Sequence, residues 1–110
     1  MSVNYSFLTG QPSRVASVII RRVSSLTRLS DVEKFKIGIS SHPEVRWSQA
    51  YKYAYDEMWV LYGSQSIDNV SVLEAELIDY YFGDCDNINA GGGGNIGRPP
   101  YYLYLVRRFF

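Results

Sequence analysis

The stretch that decides the fold is Phe35-Lys36-Ile37-Gly38-Ile39-Ser40-Ser41-His42-Pro43-Glu44-Val45-Arg46-Trp47. Apolar residues alternate over 35–39, which predicts a short strand. The next four residues break that pattern. Pro43 fits the first turn of a helix, and Ser41 is suited to cap it. The stretch therefore predicts a strand, a tight turn and a helix that carries residues 44–50.

The residues before this stretch predict an additional helix. From Pro12 onward, apolar side chains recur at three- and four-residue spacing, at Val15, Val18, Ile19, Val23 and Leu26. Pro12 and Ser13 provide a suitable helix start. The many β-branched residues leave a strand over 17–23 as the alternative. Residues 1–11 show no clear period, and we expect an arm or a short extended piece there.

The residues after it predict two more strands and a long helix. Residues 57–62 favour a strand that ends at Gly63, and a helix is predicted to start after residues 66–69 and to run to about Phe82. Residues 101–108 are rich in aromatic and β-branched residues, which is typical of a strand. We expect one α+β domain over 1–110 with a three-stranded antiparallel sheet flanked by helices. Residues 1–30 would form the arm and extra helix, and 35–108 the core.

Composition and charge limit the classes of function. The formal net charge is zero, which disfavours a protein that coats nucleic acid by charge alone. Cys85 is the single cysteine, so no intramolecular disulfide can form and a reducing compartment is expected. There is no apolar run of membrane-spanning length and no signal-peptide pattern at the N-terminus. We therefore expect a cytoplasmic protein with no membrane partner.

Four consecutive glycines, Gly91–Gly94, predict a loop. A nucleotide-binding P-loop requires a lysine and a Ser or Thr directly after its glycines, leading into a helix. Here Asn95 follows, and a strand is predicted next, so a Walker-type site is excluded. The loop would be either a lid beside an anionic ligand or a plain connection.

Three side chains on separate elements could form a minimal site for cutting phosphodiester bonds. A carboxylate such as Glu74 can hold a divalent metal that polarises phosphate oxygens. An arginine such as Arg46 can neutralise charge in the transition state. An asparagine such as Asn87 can fix a loop or ligand through both ends of its amide.

These residues, in this order, resemble the GIY-YIG nuclease family over about residues 35–108. Lys36-Ile37-Gly38 resembles the second motif of that family, and residues 44–47 resemble the helix that carries its catalytic arginine. Residues 73–78 resemble the helix whose glutamate binds the metal, which points to Glu74. The late asparagine would be Asn87, with Asn89 as the alternative. The resemblance implies an endonuclease that uses Mg²⁺ or Mn²⁺ and acts on DNA rather than RNA.

The sequence departs from the family at two places. No glycine-isoleucine-tyrosine strand precedes residue 36, whereas residues 100–107 resemble that strand. We therefore predict a circular permutation in which the last strand lies beside residues 35–39 and Tyr104 replaces the tyrosine of the first motif. The second-motif tyrosine is Lys36 here, which would act either as a base after a large fall in pKa or as an electrostatic contact to phosphate.

The remaining candidates are peripheral to this set. We expect Asn89, His42 and Arg98 to contact substrate, although His42 could equally serve as a turn or cap residue. A homodimer or a protein partner could direct a domain of this size to its target. The alternative function is a catalytically inactive binding or inhibitor module that acts through protein or nucleic-acid contacts, which the neutral charge, Lys36 and the ten tyrosines would suit.

Overall fold

The computed structural model describes residues 3–85 and 97–110. In chain order the elements are β1 (Val3–Leu8), α1 (Pro12–Thr27), β2 (Val32–Ser40), α2 (Pro43–Arg46), β3 (Glu57–Ser64), α3 (Ile67–Tyr80) and β4 (Tyr101–Phe109). A π-helical turn, Trp47–Tyr51, follows directly after α2.

Residues 12–27 form a helix, as predicted from the apolar spacing, and the alternative of a strand over 17–23 is wrong. Proline occupies the first turn of α1, where its missing N–H removes no helical hydrogen bond. Ile19, Val23 and Thr27 recur every four residues and are buried. The helical spacing of the apolar side chains, rather than their β-branching, therefore decided the structure of residues 17–23.

The sheet differs from the prediction in both size and direction. It has four strands in the order β1-β3-β4-β2, with β1 parallel to β3 and the other pairs antiparallel. The α+β class is right, but a three-stranded antiparallel sheet is wrong. Residues 3–8 form an edge strand whose Tyr5 and Phe7 are 46% and 41% exposed. A half-covered edge strand lacks the alternation of apolar and polar residues that identifies a strand in sequence.

The last strand lies at the centre of the sheet, between β3 and β2. Gly38 of β2 pairs with Tyr104 of β4, and Lys36 pairs with Val106. The expected pairing of the C-terminal strand with residues 35–39 is therefore confirmed. A β-bulge between Val60 and Tyr62 interrupts the pairing of β3 with β4.

The sheet carries a hydrophobic cluster on each of its faces. The larger cluster joins α1 and α3 to the sheet through buried residues that include Ile19, Val23, Leu73 and Leu77. The smaller cluster contains Trp47 and Tyr55 from the segment around the π-helical turn. The fold therefore has three layers, with α1 and α3 on one face and α2 and the π-helical turn on the other.

Helix α3 begins and ends at residues with clear local roles. The side chain of Ser66 accepts a hydrogen bond from the backbone N–H of Asn69, at 3.3 Å, and so caps the helix. The helix ends at Tyr80, close to the expected Phe82, and Gly83 follows with a positive φ of 87°. Within residues 3–85 and 97–110, no helix is long and apolar enough to cross a membrane.

Candidate active site

The centre of the candidate site is a pair of tyrosines on the face covered by α2. The hydroxyl oxygens of Tyr51 and Tyr104 lie 2.8 Å apart, in a hydrogen bond that either group can donate. Tyr104 is 2% exposed and lies in the smaller hydrophobic cluster. The two rings also meet edge to face, with centroids 5.7 Å apart. Strand β4 and the π-helical turn thus hold the two hydroxyls together.

The glycine of the Lys36-Ile37-Gly38 motif makes room for the Tyr104 ring. Gly38 lies opposite Tyr104 in the β2–β4 pairing. A Cβ atom at residue 38 would overlap the hydroxyl end of the ring and lie 2.9 Å from its Cε1 atom. The motif therefore requires glycine for the close approach of a side chain, because φ at this residue is not in the left-handed region.

Lys36 lies on the same side of the sheet as the tyrosine pair. Its Nζ atom is 5.9 Å from the centre of the Tyr51 ring, which is within the range of a cation–π interaction. Lys36 is half-buried. A positive charge therefore stands beside the hydrogen-bonded hydroxyls, where it could contact a phosphate.

The charges of Arg46 and Glu74 both act on the Tyr104 hydroxyl. Arg46 is at the end of α2, and Glu74 is on α3, which packs on the other face of the sheet. Glu74 is 3% exposed. Coulombic interactions weaken with distance, so both groups lie within electrostatic range of one hydroxyl. Arg46, Lys36 and Tyr104 therefore lie on one face of the sheet, whereas Glu74 belongs to a helix on the other face and acts on the Tyr104 hydroxyl through its charge.

The surroundings of Tyr104 strongly raise its pKa. The main cause is burial, which disfavours the phenolate, followed by the neighbouring Tyr51. Glu74 raises this pKa further, whereas Arg46 opposes the shift. Tyr104 is therefore a neutral hydroxyl at neutral pH. It can donate or accept a hydrogen bond, but it is a poor source of phenolate base.

Two of the expected peripheral residues, His42 and Arg98, lie at the end of the sheet where α2 begins. His42 is exposed and directly precedes Pro43 at the start of α2, a position that fits the alternative role of a turn or cap residue. It also helps line a small cavity of about 250 Å³ with Tyr5, Glu44 and Tyr102. Arg98 is exposed and follows Gly97, whose backbone lies against the Ser41 side chain. Asn87, Asn89 and the Gly91–Gly94 loop lie outside the described residues.

The donor groups allow a test of whether a metal ion fits. The described part of the chain holds no cluster of three or more His, Cys, Asp and Glu side chains. Among the expected site residues, Glu74 supplies the carboxylate. Mg²⁺ is commonly held by one or two carboxylates, with water and substrate phosphates completing its octahedron. Glu74 is therefore the one described site residue that could supply a carboxylate ligand to such an ion.

Sequence analysis missed Tyr51 as a member of this site. In a regular α-helix, Arg46 would share a face with Gln49 and Ala50, three and four positions later, and not with Tyr51. Residues 47–51 instead form a π-helical turn, closed by a 2.9 Å hydrogen bond from the Lys52 N–H to the Trp47 carbonyl. Such turns often occur at functional sites. No local sequence signal predicted this one.

Comparison with known proteins adds no identification, because no family model, no curated protein and no solved structure matches this chain.

Proposed function

We propose that this protein is a metal-dependent endonuclease that hydrolyses nucleic-acid phosphodiester bonds. The observation that carries the proposal is the buried hydroxyl of Tyr104, which lies within electrostatic range of both Arg46 and Glu74. That hydroxyl is hydrogen-bonded to Tyr51, and Lys36 lies over the Tyr51 ring. Guanidinium, ammonium, carboxylate and neutral hydroxyls together suit a phosphate diester and its attacking water.

Each side chain has a role that follows from its chemistry. Arg46 would bind a non-bridging phosphate oxygen and neutralise the charge that grows in the transition state. Lys36 would make an electrostatic contact to phosphate, in keeping with its position over the Tyr51 ring and beside the hydrogen-bonded tyrosine hydroxyls. Tyr104, whose pKa is raised, would orient the attacking water or a phosphate oxygen as a neutral hydrogen-bonding group.

Glu74 would hold Mg²⁺ or Mn²⁺, which supplies Lewis acidity at the phosphate. A single carboxylate gives weak affinity for the free ion, because most of the ligands must come from water and substrate. We therefore expect tight metal binding only when nucleic acid is present.

Two further observations support the GIY-YIG resemblance on which this proposal draws. Strand β4 pairs with β2 beside the Lys36-Ile37-Gly38 motif, as the proposed permutation requires. The Tyr104 ring lies over Gly38 of that motif. We propose DNA rather than RNA as substrate. A chain with zero net charge would need a homodimer, a partner protein or a structured substrate to choose its target.

The proposal is tested by incubating supercoiled plasmid, single-stranded DNA and RNA with the protein and either Mg²⁺ or Mn²⁺. Arg46→Ala and Glu74→Gln should each reduce cleavage by about 10²–10³-fold, the usual loss when one transition-state contact is removed. The matched controls are Arg21→Ala and Glu76→Gln, which alter exposed residues on α1 and α3. Circular dichroism checks that each variant is folded.

One observation favours the alternative of an inactive binding or inhibitor module. Glu74 and Tyr104 are 3% and 2% exposed, so the carboxylate and the central hydroxyl are almost closed to solvent. An enzyme would have to open this region to admit substrate. Equal, trace-level cutting by the wild type and both site variants would reject the endonuclease and support the binding module.

A further inference from the structure

A second cavity lies beside the candidate active site. Its volume is about 540 Å³, which is within the range of sites that bind small organic ligands. It lies where β1 and β3 end, between the turn that contains Gly10 and the start of α3. The Tyr62 hydroxyl donates a hydrogen bond to the Gly10 carbonyl, which fixes the turn against the sheet.

Two aromatic rings form one wall of this cavity. Phe7 and Tyr102 meet edge to face, with centroids 5.4 Å apart and planes at 77°. Gly63 lies beneath both rings, since a Cβ atom there would be 3.1 Å from Tyr102 and 3.2 Å from Phe7. Phe7 is 41% exposed, so its ring is accessible to a ligand that stacks on it.

The rest of the lining is uncharged, and apart from Pro100 and two glycines its side chains are polar. Gln11, Gln65 and Asn69 carry side-chain amides, and Ser64 carries a hydroxyl. Among the described residues, no charged side chain lines the cavity. Amides can both donate and accept hydrogen bonds, as the edge of a nucleobase does. A flat, neutral heterocycle with donors and acceptors on its edge matches this combination better than an ion or a purely apolar ligand.

Tyr102 of β4 lines this cavity. This residue also lines the smaller cavity that contains His42 and Glu44, close to Arg46. Tyr102 precedes Tyr104 by two residues on the same face of β4, a separation of about 7 Å. That is about two base steps along stacked DNA. One strand could therefore reach both places.

We infer that this cavity binds an unpaired nucleobase of a single nucleic-acid strand, close to the phosphate that the candidate active site would cut. The choice of nucleic acid rests on the proposed function. The base stacks on Phe7 or Tyr102, and the amides contact its edge. A base in a duplex is stacked and paired, so it cannot enter unless it is first flipped out. The protein therefore prefers single-stranded or unpaired regions.

The test measures binding without cleavage. Fluorescence anisotropy follows a short fluorescein-labelled single-stranded DNA in EDTA, with the same sequence as a duplex for comparison. Phe7→Ala should weaken binding of the single strand by about 5- to 150-fold, the effect of losing one base–aromatic stack. Gln65→Ala should weaken it less. The matched controls are Tyr53→Ala and Phe82→Ala, because these side chains are 92% and 76% exposed and do not line the cavity. Both variants should bind the single strand within about twofold of the wild type.

Three results would overturn the inference: equal affinity for single strand and duplex, equal losses in Phe7→Ala and Tyr53→Ala, or competition by free nucleosides as strong as by the oligonucleotide. The last result would assign the cavity to a free nucleoside. The two proposals can fail separately. If only the endonuclease proposal is wrong, the protein shows no metal-dependent cleavage, but Phe7→Ala still weakens binding in EDTA. If only the cavity proposal is wrong, the protein still cleaves nucleic acid, and Phe7→Ala binds the single strand as tightly as the wild type does.

Discussion

Replacing Gly38 with alanine tests the packing at the centre of the candidate site. The added Cβ would come within 3.0 Å of three atoms of the Tyr104 side chain, two in the ring and the hydroxyl oxygen, which is closer than real Cβ atoms approach. Tyr104 is 2% exposed and hydrogen-bonded to Tyr51, so its ring has little freedom to move aside. Overpacking typically costs 1–3 kcal/mol, and we expect about 3 kcal/mol here.

The assay is urea denaturation followed by tryptophan fluorescence, together with the thermal midpoint. A loss of about 3 kcal/mol should lower Tm by roughly 12 °C or more in a domain of this size. Gly63→Ala is the matched control, because its Cβ would meet rings that are partly exposed and free to shift, at 3.1 and 3.2 Å. Its cost should stay near 1 kcal/mol, the lower end of the usual range.

The same change in a second background separates packing from backbone effects. In Tyr104→Leu the ring is absent, so Gly38→Ala should be neutral or stabilising by about 0.5–1 kcal/mol, as expected for alanine over glycine within a strand. In the wild-type background, Gly38→Ala should also reduce cleavage, because the Tyr104 hydroxyl is displaced. Our reasoning would be refuted if Gly38→Ala had no cost, or the same cost in both backgrounds.

Three further predictions concern the fold and the rim of the site. Ser66→Ala should lose about 1 kcal/mol of unfolding free energy because it removes the cap of α3; unchanged stability in urea would contradict this. Partial burial of the hydroxyl, together with a hydrogen bond to Glu44 of α2 and its negative charge, raises the pKa of Tyr5 to about 12. The stability gained from its neutral hydroxyl is therefore full below pH 10 and is lost as pH rises through 12. The absorbance at 295 nm, which reports phenolate, is measured against pH for the wild type and for Tyr5→Phe. The difference between the two curves should show no phenolate forming at the ordinary tyrosine pKa of about 10. A transition near that pH would disprove the shift. Arg107→Met removes a partly buried ion pair with Glu57, at 2.6 Å, and should cost about 2 kcal/mol. Arg108→Met breaks only an exposed pair and should cost under about 0.5 kcal/mol, so equal losses would refute the distinction.

The helices and three of the strands were accessible from local sequence patterns. The apolar spacing in α1 and α3 and the aromatic, β-branched run of β4 reflect the faces that each element buries. Strand β1 was missed because Tyr5 and Phe7 remain partly exposed at an edge. Its parallel partner β3 lies more than fifty residues away in sequence, so no local pattern encodes that pairing.

The site was predictable in its chemistry and less so in its geometry. Arg46, Glu74 and Lys36 were identified from residue type and order, and Tyr104 from the expected pairing of the last strand. Tyr51 was missed, because a π-helical turn changes which residue after Arg46 lies against the face of the sheet. The neutral state of Tyr104 also depends on burial by elements distant in sequence.

The amino-acid sequence by itself determined the class of fold, the positions of its main helices and strands, and the charged groups available for chemistry. These properties depend on spacing and residue type within one element. The tertiary structure decided the fourth strand, the place of Tyr51 beside Tyr104, and the cavity lined by Phe7 and Tyr102. Each of these depends on contacts between residues far apart in the chain, whose free energies arise only when the elements pack together.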